Sequence, residues 1–492
     1  MKKILLLTYE FTYSPFSGNG ILARTLTKSF LGLGCAVTVW CCRPSLDFHD
    51  THTTATTSTS TPTSPSSSDN HLALPELSHD AMERFELLSN FVPSDGWRRV
   101  DDQSCWRDFT VSNLLPSDVD RLQAALSDAD TICVIDWSGA VAYRSILEHR
   151  KQQQQLYEDD HIDAAITSKF HLYLNFRVFS FGVADPRRRD WYNEMEQKAM
   201  KNANAVVSLS SQDSQQLSAI LQKSEETKTT VPHNPRIPIK IVLPPLRQEM
   251  EIFAKSGSTP KDFLLHLPNS MRSRIMSSDN TTSGTTLMSN LLLSKRPIIA
   301  CVARQSPEKC IQRFVTFIEM AADVLQELNL TVVLAGAASD MAYAKNARER
   351  LRKAVPSAIV IDRFLSSNEL GAVFAHTILN FHPSFYDAYG MTIVEAAAFG
   401  APTVVAGPSI GAFRLLGEDG CLRVAMEESD ETVFSESSLD TIVNFLRECQ
   451  TDTTIWERLS STAREKALAW DEQSYGERLL QIIDDSCTNR LE

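Results

Sequence analysis

Phe381-His382-Pro383-Ser384-Phe385-Tyr386-Asp387-Ala388-Tyr389-Gly390-Met391-Thr392-Ile393-Val394-Glu395-Ala396-Ala397-Ala398-Phe399-Gly400-Ala401-Pro402 reads as a strand, a loop and a helix in succession. The short apolar run Ile378 to His382 suits a buried strand, and Gly390 permits a tight turn. The spacing from Met391 to Phe399 predicts a helix that stops at Gly400-Ala401-Pro402. Ala396-Ala397-Ala398 suits close packing of that helix on a sheet. A helix start offers free backbone N–H groups and a positive dipole end to an anion. Asp387 and Glu395 flank this turn. Two carboxylates there would repel a phosphate if aimed at it; they are better suited to accept from the hydroxyls of a sugar or a ribose.

The same alternation extends in both directions. The strand Pro402 to Ala406 follows. Upstream, after Lys295-Arg296, come a strand Pro297 to Ala303, a helix Ile311 to Leu328 and a strand Thr331 to Ala335 ending in Gly336. A helix Met341 to Ala354, a strand Ala358 to Ile361 and a short helix Ser367 to Ala375 complete this half. The first half has a strand Lys3 to Leu7, a loop through Gly18-Asn19-Gly20, a helix Ile21 to Leu33 stopped by Gly34, and a strand Ala36 to Cys42. Strands Thr131 to Ile135, Phe170 to Phe176 and Ala205 to Leu209 follow, with a helix Trp191 to Asn202, and Ile239 to Leu243 closes the half before Pro244-Pro245.

Alternating strands and helices imply parallel sheets, so the fold class is α/β: two doubly wound, Rossmann-like domains facing a central cleft, with ligands at the carboxyl ends of the strands. The expected division is an N-terminal domain at 1–255, an insertion and linker at 256–295, and a C-terminal domain at 296–470. A C-terminal helix at 471–492 is expected to pack back on the first domain. Thr51 to Asp69 is nearly all Ser and Thr with Pro62 and Pro65, a composition that predicts a disordered insertion.

A chain of 492 residues, 43% of them hydrophobic and 22% charged, is longer than one core usually organises. Lys and Arg number 48 against 61 Asp and Glu, a net charge of −13, which excludes a protein that coats nucleic acid. The 10 Cys form no C-x-x-C pair and read as reduced thiols rather than a zinc site or a disulfide framework. Ile4-Leu5-Leu6-Leu7 is cut short by Thr8-Tyr9-Glu10, so it reads as a buried strand rather than a secretory signal, and no later run approaches a membrane span. A cytoplasmic protein is the expectation.

Two further stretches bear on chemistry. In Ala303-Arg304-Gln305-Ser306-Pro307-Glu308-Lys309-Cys310, Arg304 and Lys309 emerge at the carboxyl end of a strand, where two cations can clamp a diphosphate. Gly18-Asn19-Gly20 lacks the third glycine of G-x-G-x-x-G, which disfavours an NAD-dependent enzyme. His382 reads as a hydrogen-bonded structural histidine, Arg187-Arg188-Arg189 as a solvated charge run, and Glu194, Glu196 and Lys198 as a surface face. Asp136-Trp137-Ser138, at a strand end, is a candidate for contact with an acceptor.

Together these features resemble the retaining glycosyltransferases of the GT-B fold, the glycosyl transferases group 1 family with its sucrose-synthase-like and mannosyltransferase-like members. The resemblance implies that Gly18-Asn19-Gly20 is the glycine-rich loop after the first strand and that Arg304 and Lys309 bind a donor diphosphate. Asp387 and Glu395 match the two acids of the family's E-x7-E motif, the first implied to contact the donor sugar and the second the ribose. Backbone around Tyr389, Gly390, Met391 and Thr392 would approach sugar and phosphate. On this basis Arg304, Lys309 and Asp387 are the expected catalytic residues. Gly18, Asn19, Gly20, Tyr389, Gly390, Met391, Thr392 and Glu395 are the expected donor-binding residues, and no metal or resident cofactor is expected.

The chain departs from the family pattern in four places. Asp387 replaces the usual Glu, and Leu174-Asn175-Phe176-Arg177 stands where many members carry a His, so no catalytic His is assigned. Pro-Asn-Gly is replaced by Pro244-Pro245-Leu246-Arg247, and Gly-Gly after the last core strand by Ser409-Ile410-Gly411. The implied activity is transfer of a sugar, with retention, from a UDP- or GDP-linked donor to a carbohydrate or lipid-linked acceptor. Peripheral membrane contact through local basic patches stays open. The alternative is a catalytically silent nucleotide-sugar-binding or scaffold protein on the same fold.

Overall fold

The computed structural model describes residues 1–11, 18–44, 74, 77–89, 116–157, 169–178, 180, 186–201, 203–226, 237–256, 297–338, 340–427 and 430–488. The insertion read at 51–69 and the connection from 257 to 295 lie outside the described residues. The chain divides into two compact units, Met1–Pro244 with Glu472–Glu492, and Pro245–Asp471.

In the first unit, strands β1 (Lys3–Phe11), β2 (Ala36–Pro44), β3 (Phe85–Ser89), β4 (Thr131–Ile135), β5 (Phe170–Leu174), β6 (Ala205–Ser208) and β7 (Ile239–Ile241) form one sheet in the order β3-β2-β1-β4-β5-β6-β7. Every pairing is parallel. Strands covered on both faces tolerate the continuous apolar run Ile4 to Leu7, and Leu5, Leu7, Ile132, Val134, Tyr173 and Val206 share one core. β1 continues four residues past Leu7 because Thr8 and Glu10 are themselves buried and pair with β2.

Helix α1 (Gly18–Gly32) starts three residues earlier than its apolar spacing suggested. Gly18, Asn19 and Gly20 therefore form its first turn instead of a preceding loop. A Cβ on Gly18 would come 2.4 Å from the tip of the Phe176 ring, so the bare glycine lets this first turn pass beside the ring without moving it. The helix ends at Gly34, whose φ of +82° lets Cys35 N–H reach Phe30 O at 3.0 Å. The C-terminal helix Glu472–Thr488 packs on α1: Tyr475, Leu479 and Ile483 are buried, Lys28 lies 3.5 Å from Glu472, and Gly476 sits against Ser29 and Leu33.

The second unit is built on β8 (Ile298–Val302), β9 (Thr331–Ala335), β10 (Ile359–Ile361), β11 (Thr377–Phe381), β12 (Thr403–Val405) and β13 (Cys421–Arg423), again all parallel, in the order β10-β9-β8-β11-β12-β13. The helix Met341–Ala354 is capped by Asp340, and Ser367–Ala375 starts in a capping box between Ser366 and Glu369. The rings of Phe314, Phe317, Phe381 and Phe434 meet in the core, and Trp456 Nε1 donates to Ile378 O at 2.9 Å. The helix Gln248–Ser256, which the sequence reading put with the first domain, belongs to this unit.

The order in which strands are added switches sides once in each sheet, between β1 and β4 in the first unit and between β8 and β11 in the second. At such a switch point the loops leaving adjacent strands diverge and open a crevice at the carboxyl edge. Among the described residues Cys35, Cys133, Cys301, Cys421 and Cys449 are buried free thiols, Cys310 is a partly buried one, and Cys41 is buried. Among the described residues no helix is long and apolar enough to cross a membrane.

Candidate functional site

The switch point of the second unit collects the charged residues. After β8, backbone bonds from Ala303 N–H to Ala335 O (3.0 Å) and from Gln305 N–H to Ala337 O (2.9 Å) hold the chain against the end of β9. The fit requires Gly336: at φ +142° its backbone runs so close to Ala303 that a Cβ would lie 2.0 Å from Ala303 O. A 3-10 turn at Pro307–Lys309 and a left-handed Cys310 (φ 52°) then lead into helix α2, Ile311–Glu327 of the second unit.

Within this loop Arg304 pairs with Glu308, while Lys309 turns inward and places Nζ 2.5 Å from Asp387 Oδ2. His382 Nε2 approaches the same oxygen at 3.4 Å from the end of β11. Burial would raise the Asp387 carboxyl, but Lys309 and His382 outweigh it and hold Asp387 well below the usual carboxylate range. The Asp387 loop is anchored from both sides. The fully buried Arg313 on α2 donates to Pro383 O and Glu427 O, and Gly411 N–H donates to Asp387 O at 3.0 Å.

Gly390, at φ +82°, starts the helix Met391–Ala398, and Ala412 N–H donates to Tyr389 O at 2.6 Å. The first-turn amides of Met391 and Thr392 have no acceptor within the helix, while Ile393 N–H donates to Gly390 O at 3.0 Å. Glu395 is buried one turn in and is held by Arg247, whose Nε lies 2.8 Å from Oε1. Arg304, Lys309, Asp387, Tyr389, Gly390, Met391, Thr392 and Glu395 thus all fall in the second unit, whereas Gly18, Asn19 and Gly20 fall in the first.

The switch point of the first unit carries its own polar pair. Asp136, left-handed at φ 62° directly after β4, accepts from Asn19 Nδ2 at 2.9 Å and from the Trp137 amide at 2.7 Å. Nearby Glu196 is fully buried rather than on a surface face, accepting from Tyr173 Oη at 2.6 Å and Asn175 Nδ2 at 3.1 Å. Its neighbours Glu194 and Lys198 do form an exposed pair. Burial pushes the Asp136 carboxyl up to about 7 against the Asn19 and Trp137 hydrogen bonds, and burial together with the charge of Asp136 raises Glu196 well above the usual range.

Carboxyls raised in this way bind more protons folded than unfolded, so stability falls as pH rises from the ordinary carboxylate pKa toward about 7. Asp136→Asn keeps a residue tolerant of positive φ and removes one of the two charges. Its melting temperature is expected to lie above that of the parent at pH 8, with the difference vanishing near pH 4. Parallel melting curves across this range would contradict the account.

Sequence reasoning passed over three residues. His382 reads as structural, Gly336 carries only the signal of a glycine at a strand end, and Arg247 ends the stretch Pro244-Pro245-Leu246-Arg247 with no assigned role. Its pairing with Glu395 has no local sign.

Residues 296–440 match the model of a family described as glycosyl transferases group 1. Sucrose synthase 2 of Oryza sativa subsp. japonica is 28% identical over 103 residues, a stretch covering 20% of this chain and 12% of that protein. A sucrose-phosphate synthase from Thermosynechococcus elongatus superposes with a TM-score of 0.58 at 14% identity, covering 99% of each chain. The Anabaena protein Alr3699/HepE, solved in complex with UDP and glucose, gives 0.56 at 13% identity and covers 99% of this chain and 100% of that one.

Proposed function

We propose, from the premise that this chain has the GT-B fold and carries a glycosyl transferases group 1 domain at residues 296–440, that it is a retaining glycosyltransferase. It would move a sugar from a nucleotide diphosphate donor to a carbohydrate hydroxyl. The observation that carries the reading is the Lys309–Asp387 pair, set at the switch point of the second sheet beside the start of the helix Met391–Ala398.

The roles follow from chemistry. Among the described residues Arg304 pairs with the exposed Glu308, a contact worth less than about 1 kcal/mol in water, so its guanidinium is available to a phosphate. Lys309 has three N–H donors and gives one to Asp387, leaving two for the diphosphate. As the bond from the sugar to the diphosphate breaks, negative charge grows on the leaving phosphate and is met by Arg304, Lys309 and the first-turn amides. Asp387 orients a sugar hydroxyl and Glu395 the ribose. The acceptor hydroxyl attacks from the face the diphosphate leaves, giving its proton to the departing phosphate oxygen, so configuration is retained without an enzyme nucleophile. A UDP-linked donor is supported by the UDP and glucose bound in the Anabaena relative, and a sugar acceptor by the names of the sucrose-forming relatives.

Thermal unfolding of the full chain with UDP-glucose, UDP-galactose and GDP-mannose tests the reading. A true donor at a hundred times its Kd stabilises the fold by about 2.7 kcal/mol, a rise of several degrees. Arg304→Ala is expected to weaken that donor at least about tenfold. No response to any nucleotide sugar overturns the proposal. Binding without hydrolysis or transfer would favour the silent alternative.

A further inference from the structure

The Glu395 side chain is only 4% exposed, and its partner Arg247 ends the stretch Pro244-Pro245-Leu246-Arg247. Arg247 places Nε 2.8 Å and one terminal nitrogen 2.5 Å from the same oxygen, Oε1. Arg247 follows Pro244-Pro245-Leu246 and precedes the helix Gln248–Ser256, whose first turn it opens by accepting from Glu251 N–H at 3.0 Å.

The pair is held at a set spacing from behind. Met250 and Ala254 on the helix Gln248–Ser256 are buried in this unit. Arg464, on the helix Thr454–Ala469, donates to Ala254 O and to Ala398 O, each at 2.6 Å. One guanidinium thereby joins the carboxyl ends of the two helices that bear on Arg247 and Glu395.

Arg247 Nε donates to Oε1, and a terminal nitrogen of the same guanidinium lies 2.5 Å from that oxygen, so the positive charge of Arg247 is concentrated on Oε1. Oε2 is then the oxygen left to accept. We infer that Arg247 is a positioning residue for the nucleotide: it presents Glu395 Oε2 alone, in a fixed direction, to the two hydroxyls of a ribose. The inference rests on the proposed reading of Glu395. A structural ion pair would need only charge, whereas this role depends on the planar guanidinium, which directs its Nε–H and a terminal nitrogen at one oxygen.

Calorimetric titration of the full chain with UDP and GDP, each compared with its 2′-deoxy form, separates these roles. The parent is expected to prefer the ribonucleotide by about tenfold or more, as for a hydrogen bond to a charged acceptor. Glu395→Gln should remove most of the preference. In Arg247→Gln and Arg247→Lys the ribonucleotide should weaken until the ratio falls to about two, while the deoxynucleotide binds within about twofold of the parent. Lysine keeps the charge but not the planar guanidinium, so it guards against a variant that merely fails to fold. A preference that survives in both Arg247 variants, or a loss shared equally by ribo and deoxy forms, overturns the inference and leaves the proposed function standing. A parent with no ribose preference overturns the reading of Glu395 and the inference with it, and a parent that binds neither diphosphate overturns the proposed function itself.

Discussion

Lys309→Ala is expected to lower kcat for donor turnover by roughly 10²- to 10³-fold, the loss typical of removing one preorganised donor from a developing anion. The Lys309 side chain is 20% exposed and its ammonium is already fixed 2.5 Å from Asp387, so it needs no reorganisation when the diphosphate takes up charge. The substitution also strips Asp387 of its main counter-charge, leaving His382 at 3.4 Å. In the parent the depressed carboxyl contributes stability that is present above the ordinary Asp pKa and is lost only as pH falls below it. In the variant burial is no longer offset by Lys309, so the Asp387 carboxyl is expected to move above the ordinary range and stability to fall, rather than rise, as pH climbs toward neutrality. Steady-state kinetics and melting curves from pH 4 to pH 8 check both halves. Turnover within about twofold of the parent would remove Lys309 from the chemistry.

Gly336→Ala should cost more than about 4 kcal/mol, a fall in melting temperature of roughly 8–16 °C for a unit of this size. Two independent obstacles add: φ of +142° is a conformation that L side chains rarely adopt, and the new Cβ would lie 2.0 Å from Ala303 O and 2.6 Å from Ala303 C. Both are backbone atoms at the root of the Arg304 loop, and Gln305 Nε2 donates to Gly336 O at 2.6 Å, so neither strand end can move alone. Gly390→Ala offers the internal contrast. Its φ is +82° and its Cβ would meet Ile393 Cδ1 at 2.7 Å, the tip of a flexible side chain, so about 1–2 kcal/mol is expected. Thermal unfolding of the two variants should rank them clearly. Equal losses would mean that the backbone at Ala303 yields more readily than its hydrogen bonds imply.

The fold was legible where elements are decided locally. Thr131–Ile135 and Thr331–Ala335 are apolar runs buried in parallel sheets, and Met341–Ala354 and Ser367–Ala375 carry their own caps, so all four agree with the sequence reading to the residue. β3 and β13 went unread because they are short edge strands, and β13 is a three-residue strand whose pattern specifies little. The start of α1 was misplaced because apolar spacing begins at Ile21, while the turn before it, Gly18-Asn19-Gly20, holds no apolar residue to mark it. Glu196 looked like one charge on an exposed helix until Tyr173 and Asn175 met it.

The amino-acid sequence by itself determined the alternation that makes two parallel sheets. It also determined the turn at Gly390 and the placing of Arg304, Lys309, Asp387 and Glu395 at strand ends and a helix start, all consequences of interactions within a few residues. Only the tertiary structure decided which charge meets which. Lys309 and Asp387 are 78 residues apart, and Arg247 and Glu395 are 148 apart. Neither separation carries a periodic signal. The first pair forms because sheet order makes β8 and β11 neighbours, so that the loops leaving them open side by side at the switch point. The second forms because helix packing sets the chain after Pro244-Pro245 against Glu395. Once buried beside each other, opposite charges must pair, since leaving either alone in a poorly solvated site costs more than holding both in one geometry.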